Sequence, residues 1–240
     1  LLRYTEAYDL KLKQGDPIGT RIALGNMGLM CFELGRYVEA LEHFTRSWKA
    51  AVKTGHSRGE AFSLLGLSLL GLKAGALSYA KRRALRAAEI AERLGDRVVA
   101  WDALGTLVEI ALARGDLDEA RSMSKLSMEK FADVDSPYNL AGAKGVRARA
   151  VQDTDPAFAR RLADDVLGDP SVKDATIRAH ASKVRAELAI ARGDLDEASD
   201  AISGLGLSDD AWKLPIHLLA SMESVAKFVG EPNLIAGLHS

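Results

Sequence analysis

The sequence has one cysteine, Cys31, among 240 residues, only six prolines, and few aromatic residues, 6% of the total. A single cysteine excludes an internal disulfide framework and any zinc site built from several thiolates. It points to a reducing compartment, and a cytoplasmic location is expected. Neither sign of charge is in excess, with 32 Lys+Arg against 33 Asp+Glu. This balance argues against a nucleic-acid or anionic-membrane surface as the main business of the chain. No run of about 18 uncharged apolar residues is present, so no membrane-spanning helix is expected. The opening LLRYTEAYDL lacks the charged region and cleavage site of a signal peptide. It also lacks an initiator Met and begins inside a helical pattern, so the chain is expected to be an excerpt of a longer protein. Alternating period-2 stretches with hairpin signals are absent, and no sheet is expected.

Catalytic constellations are equally scarce. The five histidines, His43, His56, His180, His217 and His239, include no i, i+4 pair and no HExxH-like spacing. The glycines form neither GxGxxG nor GxxxxGK[ST], so no phosphate cradle is indicated. The acidic pairs Asp164-Asp165 and Asp209-Asp210 are adjacent in sequence, and adjacent residues on a helix point in different directions. The basic runs Lys81-Arg82-Arg83-Arg86 and Arg160-Arg161 fall on expected outer helices and read as solvated surface. Neither an enzyme nor a cofactor or metal site is expected.

What the sequence does have is a period. Gly35, Gly75 and Gly115 stand 40 residues apart, with Gly193 78 further on, and a second ladder runs Gly15, Gly55, Gly95. A fixed period of this size marks a helical repeat array. Residues 1–14 read as one helix, the second of a truncated pair. Helix pairs are then expected near 17–34 and 37–54, 57–74 and 77–94, 97–114 and 117–131, 136–152 and 156–168, and 171–192 and 195–203. A sixth first helix is expected near 210–229, with Gly230-Glu231-Pro232 opening its partner. Gly35 supplies the positive φ that ends its helix, as does Gly55, and Asp16-Pro17 after Gly15 restarts the next, with Asp as the cap and Pro at the first helical position. Cys31 falls at a position facing the helix-pair core.

The residues at fixed places in each repeat resemble the tetratricopeptide repeat. Counting from Arg21 as position 1, Leu24, Met27, Gly28, Cys31, Ala40, Phe44 and Ser47 fit its pattern of apolar and small positions. The second repeat supplies Leu64, Leu67, Ser68, Gly71, Ala80, Ala84 and Ala87. The third supplies Leu104, Leu107, Ala111, Ala120 and Ser127, and departs at Val108, where a small residue is expected. The fifth supplies Ala186, Ala189, Ala198 and Ile202. The 40-residue spacing is similar to the long-helix subgroup found in Pins/LGN-type adaptors, kinesin light chains and bacterial signalling regulators. HEAT repeats have a similar period, but they do not usually carry Gly-Asp or Gly-Arg at the turn followed by Ala four or five residues on.

The resemblance implies an all-α, right-handed α-solenoid of antiparallel helix pairs with about 12–13 helices. It implies one domain over 1–240: a half repeat at 1–16, repeats near 17–56, 57–96, 97–135, 136–169 and 170–208, and a partial repeat at 209–240. It also implies that first helices line a concave face that receives a protein or peptide segment. The inward positions chosen are Ile22, Asn26, Leu29, Phe32, Phe62, Leu65, Leu69, Lys73, Glu109, Lys144, Arg147 and Lys183. Asn26 stands where related proteins hold a peptide backbone, but Gly66 and Thr106 replace it in the next repeats. Gly25 and Leu29 stand where the Lys and Asn of a carboxylate clamp would be, so no binding of an EEVD-like terminus is expected.

The N-terminal half of this face is apolar. It is expected to take an apolar or amphipathic segment, unless long helices bury those residues internally. The expected role is a non-enzymatic interaction scaffold within a signalling or regulatory protein. The alternative is an effector-sensing domain of a transcription regulator, holding a small ligand or signalling peptide. No direct nucleic-acid or membrane partner is expected. Terminal repeats without a polar cap are expected to allow self-association.

Overall fold

The structure is a computed structural model that describes residues 1–132 and 137–203, with backbone alone at 137, 138 and 176. Among the described residues there are eleven helices and no strand. They are α1 (Leu2–Lys13), α2 (Pro17–Glu33), α3 (Tyr37–Lys53), α4 (Ser57–Lys73), α5 (Leu77–Leu94), α6 (Arg97–Ala113), α7 (Leu117–Phe131), α8 (Pro137–Val151), α9 (Pro156–Gly168), α10 (Ala175–Ala191) and α11 (Leu195–Ser203). Consecutive helices pack as neighbours, as an all-α helical-repeat solenoid requires. The sixth pair expected beyond 209 lies outside the described residues. The chain divides into two compact units, Leu1–Met123 and Ser124–Ser240.

The turns explain the 40-residue ladder. Gly35 has φ +71°, and the next amide, Arg36 N–H, donates to the Cys31 carbonyl at 2.8 Å. This is a Schellman closure, in which a left-handed residue lets the chain cap its own last carbonyls. A side chain at φ near +70° would be strained, so the turn selects glycine. The same five-residue return bond follows Gly15, Gly55, Gly75, Gly95, Gly115 and Gly193. Where the following residue is Asp it also opens the next helix: Asp96 Oδ1 accepts from Val99 N–H at 3.1 Å, and Asp194 Oδ1 from Glu197 N–H at 2.9 Å. One Gly-Asp dipeptide thus ends one helix and starts another.

One boundary differs from expectation. The helix expected from 171 begins at Ala175, because Asp174 caps it by accepting from Ile177 N–H at 2.9 Å. Asp169 accepts from both the amide and the hydroxyl of Ser171, which holds the preceding segment in a turn.

In the first unit, the first helices carry most of the core. α4 buries ten of its residues, whereas α3 buries only Ala40, Phe44, Ser47 and Ala51 along one stripe. First helices also touch one another, α2 against α4 and α4 against α6. Close approach needs small side chains. Ala40, Ala80 and Ala120 are fully buried, and a Cβ on Gly71 would lie 3.2 Å from that of Ala80. Val108, which departs from the small-residue pattern, is nonetheless fully buried. Cys31 is also fully buried, as a small apolar core residue.

Polar ties join neighbouring repeats at a recurring separation. Arg46 Nη2 donates to Tyr8 Oη at 2.6 Å, Arg58 Nε to Asp96 Oδ2 at 2.5 Å, and Lys81 Nζ to Glu119 Oε1 at 2.5 Å, each pair 38 residues apart. In the second unit Arg160 pairs with Glu197, 37 residues on, and Arg185 and Arg192 converge on the same carboxylate. Burial alone would raise the Glu197 pKa. The hydrogen bonds and charges of Arg160 and Arg192 outweigh it and hold the carboxyl below its ordinary range. The basic runs are therefore not simply solvated. Lys81 and Arg160 bridge repeats, and the Arg83 guanidinium lies 5.2 Å from the Trp48 ring and 4.9 Å from that of Tyr79.

Candidate functional site

On a helix, residues spaced three and four apart share a face. α2 therefore presents Ile22, Asn26, Leu29 and Glu33 as one stripe, α4 presents Phe62, Gly66, Leu69 and Lys73, and α6 presents Asp102, Thr106 and Glu109. Because α2 meets α4 and α4 meets α6, these stripes lie side by side in the first unit. Ile22 is 45% exposed, and Leu29 and Phe62 are each 39% exposed. Asn26 is half-buried. Other exposed apolar residues, such as Val38, Leu41, Val52 and Leu85, lie on the second helices.

Two chosen residues are not on this face. Phe32 is buried among Cys31, Phe44 and Leu67, with its ring 5.7 Å from that of Tyr37. Leu65 is buried with Leu64, Ile90 and Val99. Phe32 lies three residues after Leu29 and Leu65 three after Phe62, which puts each at the edge of its stripe, and that edge turns into the neighbouring helix. Leu69 is half-buried and packs against the Phe32–Phe44 cluster, so only its edge reaches the face. The apolar face is thus narrower than the sequence implies, with Ile22, Leu29 and Phe62 its open members.

Gly66 and Thr106 replace the asparagine for different reasons. A Cβ on Gly66 would lie 2.4 Å from Phe44 Cε1, so the ring from the preceding repeat occupies the space of a side chain. Thr106 is buried, and its hydroxyl donates to its own helix at the Asp102 carbonyl, 2.8 Å away.

The carboxylates of the face are the electrostatically unusual groups. Glu33 is half-buried, and burial raises its pKa while Lys73 opposes the rise. Asp102 is pushed up to about 6, first by burial and then by the charge of Asp96. Its carboxylate makes no hydrogen bond or ion pair among the described residues. A raised folded-state pKa means the folded protein holds the proton more tightly, so stability falls as pH rises from about 4 to 6 and the penalty is complete above 6. Asp102→Asn is expected to raise the unfolding free energy at pH 7.5 by about 1–2 kcal/mol, a figure reduced from the full shift because the carboxylate keeps partial contact with water. At pH 4 the two proteins should unfold at the same denaturant concentration. A gain of equal size at both pH values would show that the charge is not the cause.

In the second unit the chosen cations already have neighbours. Lys144 Nζ pairs with Asp165 at 2.9 Å, Arg147 donates to Ser124 Oγ at 3.1 Å, and Lys183 lies 3.5 Å from Glu187. The two lysine pairs keep partial contact with water, and ion pairs of that kind contribute about 0–1 kcal/mol each, so they orient side chains more than they stabilise. Among the described residues, no cluster of three or more His, Cys, Asp or Glu stands at metal-binding distance. No described helix is long and apolar enough to cross a membrane.

Sequence reasoning passed over Arg21. It is 7% exposed, and its Nε has no hydrogen-bond partner. The available signal was Gly59, 38 residues on, which gives the guanidinium room.

No protein-family model matches the chain, and no curated protein matches it.

Proposed function

We propose that the chain is a tetratricopeptide-type interaction scaffold whose first-helix face, in the first unit, receives an apolar or amphipathic protein segment as part of a signalling or regulatory protein. The observation that carries this reading is the open apolar set Ile22, Leu29 and Phe62, at helical spacing on two helices packed side by side. Apolar side chains left open together on adjacent helices favour a covering partner, because covering them removes apolar area from water. Amphipathic segments dock in this way through anchors at matching helical spacing. The repeat register, the glycine turns and the buried alanines at the close-approach positions support the tetratricopeptide reading over a HEAT array.

Ile22 and Phe62 are the residues to test, since Leu69 also serves the core. An Ile22→Glu, Phe62→Glu double variant is expected to lower recovery of co-purifying partners at least tenfold, a loss of about 1.4 kcal/mol or more. Its circular dichroism should match that of the wild type. Equal recovery of the same proteins by both forms would remove this face from the account.

A further inference from the structure

The first turn of α4 holds an electrostatic arrangement that the scaffold alone does not require. Arg21 reaches from α2 to this turn. Its Cζ, Nε and Nη1 would each lie 2.7 Å from a Cβ on Gly59, so the guanidinium lies against the backbone where any other residue would displace it. Only 7% of Arg21 is exposed, and its side chain makes no hydrogen bond and no ion pair among the described residues. The Nε is sealed from solvent and unpartnered.

The surroundings make this worse. Helix N-termini carry partial positive charge from unpaired amides. α4 is 17 residues long; in its first turn Gly59 N–H donates to His56 Nδ1 at 2.9 Å and Ser57 N–H to the Gly55 carbonyl at 3.1 Å, which leaves the Arg58 amide facing outward from the turn without such a bond among the described residues. Arg58 adds a second guanidinium. Its Nε is held by Asp96 at 2.5 Å, and its side chain is 63% exposed. Burial and then repulsion from Arg58 lower the Arg21 pKa below arginine's ordinary value, and no carboxylate opposes them. Buried charges in folded proteins are paired, because an unpaired one forfeits its hydration without compensation. Arg58 has Asp96 as its anion, and Glu60 in the same turn lies 4.0 Å from Arg86 Nε, so Arg21 is the buried guanidinium left without one.

We propose that Arg21, Arg58 and the N-terminus of α4 form a seat for a single oxyanion, a carboxylate or a phosphate. Arginine suits both, since its fork of N–H donors matches two oxygens at once. Helix N-termini favour anions for the same reasons that make an extra cation costly there. Gly59 is part of the seat because it is the residue that admits the guanidinium. Among the first three repeats the seat occurs once: Arg21 is replaced by Ala61 in the second repeat and Trp101 in the third. The seat rests on these contacts and not on the reading of the apolar face.

The test uses the full chain with inorganic phosphate and with acetate, each compared with chloride at matched ionic strength. Binding is read from amide chemical shifts and from thermal unfolding. Saturable shifts centred on residues 57–60, with a rise in Tm, are expected for at least one of the two anions. Saturation by phosphate alone assigns a phosphate ligand, and saturation by acetate alone assigns a carboxylate. Arg21→Met should remove the response. Should that variant not fold, Arg58→Gln leaves the buried group in place and should weaken binding about tenfold. The proposal is overturned if neither anion differs from chloride, or if Arg21→Met or Arg58→Gln responds as the wild type does. Loss of partner recovery in the Ile22→Glu, Phe62→Glu variant bears on the apolar face alone, so the two ideas can fail separately.

Discussion

Phe44→Ala is expected to lower the unfolding free energy by about 3–5 kcal/mol, the range for deleting a fully buried phenyl ring. The ring is 1% exposed and ties three helices together. It projects from α3 between Gly28 of α2 and Gly66 of α4. A Cβ would lie 2.8 Å from the ring at Gly28 and 2.4 Å at Gly66. On these two sides the neighbours are already reduced to backbone, so no side chain there can fill the void, and only Cys31, Phe32 and Leu67 on the remaining sides could move into it. In a repeat array each repeat contacts only its neighbours, so the damage should fall on one junction. Urea denaturation followed by circular dichroism should show a lowered first transition. Amides of α2, α3 and α4 should lose protection against hydrogen exchange before those of α10. A loss under about 1.5 kcal/mol would mean that the helices close over the gap, contrary to the close-packed reading.

The second large effect comes from the opposite change. Gly66→Asn places at this position the residue type that occupies the corresponding Asn26. Helix propensity alone favours the substitution by a few tenths of a kcal/mol. The ring of Phe44 opposes it, and overpacking should cost about 2–3 kcal/mol. The two residues touch, so their effects should not add. In a Phe44→Leu background the same Gly66→Asn change is expected to cost at least 1 kcal/mol less. Additive losses in the four-member cycle would separate Gly66 from Phe44. The cycle also explains why the asparagine ladder stops at Asn26: its next rung is taken by an aromatic core residue.

Much of the fold was legible because it is local. A Gly-Asp turn needs only a left-handed residue and a carboxylate within three residues of a free amide, and both requirements sit in adjacent letters. Gly115-Asp116 and Gly193-Asp194 therefore announce helix ends to within a residue. Ser-Pro and Asp-Pro did the same at Pro137 and Pro156, the first residues of α8 and α9. The helix expected from 171 starts at Ala175 instead, because Asp169 binds Ser171 and builds a turn, leaving Asp174 to start the helix.

The candidate site was legible only in part. Period 3.6 places Ile22 and Leu29 on one stripe of α2 and Phe62 on the matching stripe of α4, and all three are open. It could not separate Phe32 and Leu65 from them, because a face chosen at 100° per residue has uncertain edges until the neighbouring helix is in place.

The order of the described helices, their ends apart from the start of α10, and the positions of the small residues were determined by the sequence alone. Those features depend on backbone conformation and on contacts within one hairpin. Tertiary structure decided which members of an apolar stripe stay open and which basic residues bridge repeats 38 positions apart. It also decided that the Phe44 ring takes the side-chain space at Gly66, and that Arg21 lies buried beside Gly59 without a counter-charge. Each of these depends on distances between residues of different repeats, and the packing of one helix pair on the next sets those distances.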